Sequence, residues 1–132
     1  MSGCSDVCVD MDYGGEPCKL YREREVVASR PWKCTECNEV IEPGAKYHQA
    51  TGLADDGMWW VIRTCEGCAD CRQLLACEGV WTEGELWPAA TEQAFDELAR
   101  VGLFECFALL KTSAGRVKLQ EKFMAWQQAN AA

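Results

Sequence analysis

Two C-x-x-C pairs, Cys34-Thr35-Glu36-Cys37 and Cys65-Glu66-Gly67-Cys68, stand 27 residues apart, and they constrain this chain more than anything else in it. Four thiolates that can converge tetrahedrally suit Zn²⁺ in a closed structural site. The interval is long enough for a turn and a β-hairpin before a helix that carries the second pair. Each half has a physical reason to hold thiolates. Asn38 follows the first pair and tolerates the left-handed conformation in which such a turn ends, exposing amides to sulfur. The second pair falls where a helix begins, and the free N–H groups and positive dipole end there favour anionic sulfur. Iron also accepts a Cys₄ tetrahedron, and a redox use of C-x-x-C would explain one pair and leave the other idle. Zinc at Cys34, Cys37, Cys65 and Cys68 is the expectation carried forward.

The surrounding pattern predicts the rest of a finger. Segments 46–51 and 58–63 are rich in aromatic and β-branched residues and read as strands. The Gly52–Gly57 stretch, with Asp55-Asp56-Gly57, would close them as a hairpin, and Pro43-Gly44 marks a turn before the first. A helix is expected from Cys65 to about Ala76, ended by Gly79. Beyond a Trp-rich connector over 80–88, Thr91 is a plausible N-cap for a helix with Phe95, Leu98, Ala99, Phe104 and Leu109 on its apolar face and a break at Gly102. Leu119, Phe123 and Trp126, at i, i+4 and i+7 with Met124 beside them, predict a last helix over 113–129. The fold class is thus a small α+β zinc-binding domain: a treble-clef-like finger (Cys turn, β-hairpin, helix) with two or three C-terminal α-helices. One domain over 1–132 divides into an irregular Cys-containing arm (1–30), the finger core (31–79) and the connector with its helices (80–132).

Ten cysteines in 132 residues force a choice between metal and disulfides. The opening residues lack the basic and then apolar pattern of an export signal, which favours the cytosol and metal over a disulfide framework. No window is apolar enough to span a membrane. Cys4 and Cys8, with Cys71 or Cys77, would suit a second zinc site tying the arm to the helix. Free thiols or packing residues are the equal alternative for these four and for Cys18. Cys106, inside Phe104-Glu105-Cys106-Phe107, reads as an apolar core residue. His48, the lone histidine, would replace a cysteine ligand only if one of the four were unused.

Catalytic chemistry is not expected. One histidine cannot furnish an open metal site and a general base, and Asp55-Asp56 belong to a solvated turn. No phosphate-binding loop, nucleophile elbow, H-E-x-x-H helix or deaminase H-x-E pattern occurs. The net charge of −8 is spread along the chain. It disfavours nucleic acid, since Arg30, Lys33, Lys46, Arg63 and Arg72 around the finger are dispersed among acids.

The run 28–37 with Ile41-Glu42-Pro43-Gly44-Ala45-Lys46-Tyr47, and the later run 60–68 entering the second cysteine pair, resembles small uncharacterised cysteine-rich proteins of tailed phages and prophages. The resemblance covers about residues 28–77. It implies zinc at the two C-x-x-C pairs and a phage or prophage origin, while Cys18 and Cys71 depart from its pattern. The leading functional expectation is a non-catalytic module that binds a host or phage protein, for example a phage-encoded inhibitor of a host defence or regulatory protein, through an acidic surface. Trp59, Trp60, Trp81 and Trp87 would be its anchors. A nucleic-acid-binding finger and a structural phage component are the alternatives.

Overall fold

A computed structural model describes residues 20–53, 56–75 and 84–130. The elements run β1 (Leu20–Val27), β2 (Trp32–Lys33), β3 (Val40–Ile41), β4 (Lys46–Leu53), β5 (Trp59–Cys65), α1 (Glu66–Leu75), α2 (Leu86–Gln93), α3 (Phe95–Val101), α4 (Leu103–Phe107) and α5 (Ser113–Asn130). The result is a small α+β arrangement: an antiparallel sheet of order β1-β4-β5, a two-stranded β2-β3 hairpin, and helices.

The turns form where their residue types require. Pro43 and Gly44 occupy the centre of a tight turn in which Ala45 N–H donates to Glu42 O at 3.0 Å and Gly44 takes φ 90°. That combination, with Pro first and a positive-φ Gly second, is a type II turn. At the β4–β5 connection Gly57 has φ 85°, and Met58 N–H donates to Asp56 Oδ1 at 3.0 Å. The hairpin expected from Asp56-Gly57 is therefore present, with strands extending two residues further than the sequence indicated.

β1 is the main departure from the reading of 1–30 as an irregular arm. Its Arg22-Glu23-Arg24-Glu25 alternation carries no apolar periodicity, so the usual strand signal is missing. The segment is an edge strand, where alternating charge is tolerated and discourages further pairing. Residues 1–19, with Cys4, Cys8 and Cys18, lie outside the described residues, as do Cys77, Gly79 and Trp81.

Helix α1 packs on one face of the sheet, over Ala50, Ile62 and Thr64, all buried, and Arg72 Nη1 donates to Thr64 Oγ1 at 3.1 Å. Helix α5 crosses α1 at close range because each helix places a glycine at the crossing. A Cβ on Gly67 would lie 2.7 Å from Ala114 O, and one on Gly115 2.2 Å from Asp70 Oδ2. Buried Asp70 uses this proximity to hold the start of α5 from another helix. It accepts from Lys111 N–H, from Thr112 N–H at 2.8 Å and from Thr112 Oγ1 at 2.8 Å. Thr112 Oγ1 in turn accepts from Gly115 N–H at 2.9 Å, so Thr112 is the N-cap of α5 and Asp70 fixes that cap in place.

The C-terminal helices close a second part of the core. Phe95 meets Phe123 and Trp126 edge-on, with centroids 5.6 and 5.8 Å apart, and Phe123 stacks on Trp126. Leu86, Leu98 and Leu119 fill the space between them. The stripe predicted for the last helix is therefore core, except for exposed Met124. Four helices follow α1 among the described residues, not two or three. Thr91 is no N-cap: it lies inside α2, and its Oγ1 donates to Trp87 O at 2.9 Å. Gly102 does break the pattern, with φ 110° between α3 and α4. Ala99, Phe104 and Leu109 are exposed, so of the apolar face predicted over 95–109 only Phe95 and Leu98 are buried. No described helix is long and apolar enough to cross a membrane.

Candidate metal centre

Cys34 closes β2 and Cys37 follows one turn later, held by Cys34 N–H to Glu39 O at 2.9 Å and Asn38 N–H to Cys34 O at 3.0 Å. Asn38 takes φ 64°, the only positive φ of a described non-glycine residue, as its place after the pair required. Cys65 ends β5 and Cys68 lies in the first turn of α1. Their sulfurs and those of Cys34 and Cys37 all lie within 4.8 Å of one another, with Cys37 Sγ 3.9 Å from Cys65 Sγ. A tetrahedron with metal–sulfur bonds of about 2.3 Å has sulfurs roughly 3.8 Å apart. The four cysteines therefore form a group that can hold a metal ion, and they fit a closed tetrathiolate.

Donors surround the sulfurs. Cys65 N–H points at Cys34 Sγ (3.3 Å), Cys68 N–H at Cys65 Sγ (3.5 Å) and Trp87 Nε1–H at Cys68 Sγ (3.3 Å). Without a metal the thiols share protons unequally. Hydrogen bonds from the Cys65 and Cys68 side chains hold Cys34 far below the ordinary thiol value. The interaction with the Cys34 sulfur raises Cys65 to about 12 and pushes Cys68 up still further. Clustered thiols oppose one another's ionisation, and a bound cation relieves that repulsion.

Lys118 supplies part of that compensation. Its Nζ bonds Glu39 Oε2 at 2.7 Å. Burial alone would lower its pKa, but the Glu39 hydrogen bond and the nearby Cys37 and Cys68 sulfurs raise it overall. A permanent ammonium thus stands beside a centre that would carry about −2 with zinc bound to four thiolates.

Two contacts fasten the helical half to this centre. Glu36, inside the first C-x-x-C, is buried, and its carboxylate accepts from Gly84 N–H at 2.9 Å and Leu86 N–H at 3.0 Å. Burial raises its pKa, and the two amides oppose that shift. Trp87 is the second contact. It was expected as a partner anchor, but only 7% of its surface is accessible and its indole donates to the Cys68 sulfur. Nothing in the spacing of Trp87 could have shown this, since the contact spans 19 residues. Replacing Trp87 with Phe keeps the ring and removes the N–H···S bond, so it should weaken metal binding by about 10- to 100-fold. Competition against a chromophoric chelator measures it, and an unchanged affinity would show that the bond contributes packing alone.

The other cysteines and His48 are placed elsewhere. Cys71 is buried outside the cluster, with its S–H donating to Gly115 O at 3.2 Å between α1 and α5. Burial raises its thiol pKa. Cys106 is buried as expected, but it is disulfide-bonded, not a free apolar residue. Its partner is none of Cys34, Cys37, Cys65, Cys68 or Cys71, which are free.

His48 is not at the metal site. Arg72 Nη2 lies 3.1 Å from its Nδ1, and because a guanidinium only donates, Nδ1 is the acceptor and Nε2 carries the proton. Nε2 lies 3.6 Å from Glu23 Oε1. Burial, followed by the Arg72 charge, lowers the imidazole pKa. The folded state therefore binds this proton less readily than the unfolded chain. The associated stability is present above about pH 6.5 and is lost as pH falls through the lower folded value. The single imidazole resonance should titrate below 6.5 by NMR; a midpoint at or above that value would contradict the clamp.

Of the expected anchors, Trp59 is 62% exposed and Trp60 is half-buried, lying across Gly52. A cavity of about 110 Å³ is lined by Glu25, His48, Glu66 and Asp70 among others, but Asp70 and His48 are committed to the contacts above. No family model, curated protein or solved structure matches this chain.

Proposed function

We propose that this chain is a zinc-stabilised, non-catalytic binding module built on a treble-clef-like finger. The observation that carries the reading is the closed group of four cysteines. All four coordination positions of a tetrahedral ion are taken by sulfur, so no position is left for water or substrate. The one histidine is locked to Arg72, and the described cavity is well below the roughly 300 Å³ of ordinary small-molecule sites.

A protein is the proposed partner, of the kind a phage-encoded inhibitor would meet. Its support is the net charge of −8 together with outward apolar residues on the helical side, where Phe104 is 72% exposed and Leu109 50%. Cobalt substitution tests the metal reading. The tetrahedral thiolate spectrum should appear at one ion per chain and stay unchanged when cyanide or a hydroxamate is added. A spectrum that shifts with those ligands would reveal an open position and overturn the non-catalytic reading.

A further inference from the structure

The face of the sheet turned away from α1 has a charge pattern that the linear sequence conceals. In a strand successive side chains alternate between faces, and residues paired across strands share one. Arg22 and Arg24 therefore lie on one face of β1, and Glu23 and Glu25 on the other. The register aligns Arg24 with Gln49 and Arg63, and Arg22 with Thr51 and Val61. Trp59 is two residues further along β5 on the same face.

On the α1 side, Glu23 is held near His48 Nε2 at 3.6 Å and Arg72 Nη2 at 4.0 Å. On the far side no aligned strand position is acidic. Arg22 and Arg24 are exposed and form no ion pair with a described residue. Arg63 lays its guanidinium 3.5 Å from the Trp32 ring centroid, its Nε buried and without a hydrogen-bond partner, and Arg30 lies 4.6 Å from the same centroid. Trp59 has no ring or cation contact with any described residue. Two unpaired guanidiniums (Arg22 and Arg24), a third stacked on Trp32 (Arg63), amide and hydroxyl groups and one bare indole thus share a face whose strands are about 4.8 Å apart.

We infer that this face binds single-stranded nucleic acid, with Arg22, Arg24 and Arg63 meeting phosphates and Trp59 stacking on a base. Cations along a backbone track with an open aromatic beside them are what such a ligand requires. The duplex is the poorer fit, because its bases are already stacked and closed to Trp59. The aligned strand positions of this face carry Arg22, Arg24 and Arg63 and no acid, so the local charge is positive although the whole chain is acidic. The inference rests on the binding-module reading, and it concerns a surface separate from the outward helical residues offered there to a protein.

The test uses the full, metal-loaded chain with fluorescein-labelled oligothymidylate and oligouridylate of about 20 nucleotides, and a duplex of the same length. Anisotropy should rise with a single strand at low salt, quench tryptophan emission, and give a weaker response with duplex. The double variant Arg22→Gln/Arg24→Gln should weaken binding at least tenfold and flatten the slope of log K against log salt by roughly 1.4, two single-strand phosphate contacts. Trp59→Ala should weaken binding about fivefold or more. Arg100→Glu, at an exposed position of α3 where the arginine pairs with Glu97, should leave it unchanged. Metal content and circular dichroism confirm that the variants are folded. No anisotropy change at low salt overturns the inference. So does an equal loss in Arg100→Glu, or a Trp59→Ala chain that binds as before while poly-glutamate displaces the oligonucleotide, which would make the face a site for acidic protein. Each of these outcomes leaves the cobalt result untouched.

Discussion

Replacing Cys68 with Ser, or stripping the metal with a strong chelator, should unfold the finger and release the helices docked on it. The apparent binding energy of a structural zinc is about 10–16 kcal/mol, while a domain of this size has a net stability of roughly 5–15 kcal/mol. Loss of the ion therefore removes a quantity as large as the whole fold's margin. Cys68 is the most telling ligand because it is fully buried and receives the Trp87 indole, so its loss disturbs the centre and the start of α2 together. Thermal unfolding by circular dichroism before and after chelation, and for the Cys68→Ser chain, reads the effect. A melting temperature that did not move on chelation would show that the four sulfurs hold no structural ion. Acidification should mimic chelation, because protons compete with the metal for thiolate sulfur.

Gly67→Ala comes next in expected effect, and its sign is diagnostic. In an exposed helix interior, alanine stabilises relative to glycine by about 0.8–1.0 kcal/mol. Here the new Cβ would lie 2.7 Å from Ala114 O, 3.1 Å from Lys118 Cβ and 3.2 Å from Ala114 C. Two of these are backbone atoms of α5, which cannot turn aside as a flexible side chain would. The helices must part, and overpacking of this kind costs about 1–3 kcal/mol. Because Gly67 stands between Cys65 and Cys68 of the candidate centre, and Lys118 beside the sulfurs, part of the loss should appear as faster metal release. Denaturant titration of the zinc-loaded variant measures the first, and transfer of zinc to a chelator the second. A stabilised variant would mean that α1 and α5 do not cross at this glycine.

The parts of this fold that local chemistry decides were legible in the sequence. The two C-x-x-C pairs, Asn38 in its left-handed conformation, the Pro43-Gly44 turn and the β4–β5 hairpin each follow from residue types a few positions apart, and the structure brings the four expected cysteines together. What escaped depends on partners far along the chain. Asp70 fixes the N-cap residue of a helix that starts more than 40 residues later, Glu36 holds Gly84 and Leu86, and Trp87 turns inward to Cys68. A carboxylate or indole in a sequence does not disclose which distant amide or sulfur it meets. His48 illustrates the same point: it is near the finger in sequence, but Arg72 and Glu23 set its direction. β1 was missed for another reason, because its pattern alternates in the sign of charge and not in hydropathy.

That alternation makes the polarity of the sheet a matter of parity. Shifting β1 by one residue against β4 would exchange its two faces, sending Glu23 and Glu25 outward and turning Arg22 and Arg24 toward α1. Composition, isoelectric point and net charge would all stay the same. The electrostatic character of the open face is thus encoded in the register of β1 against β4 and not in the composition of either strand.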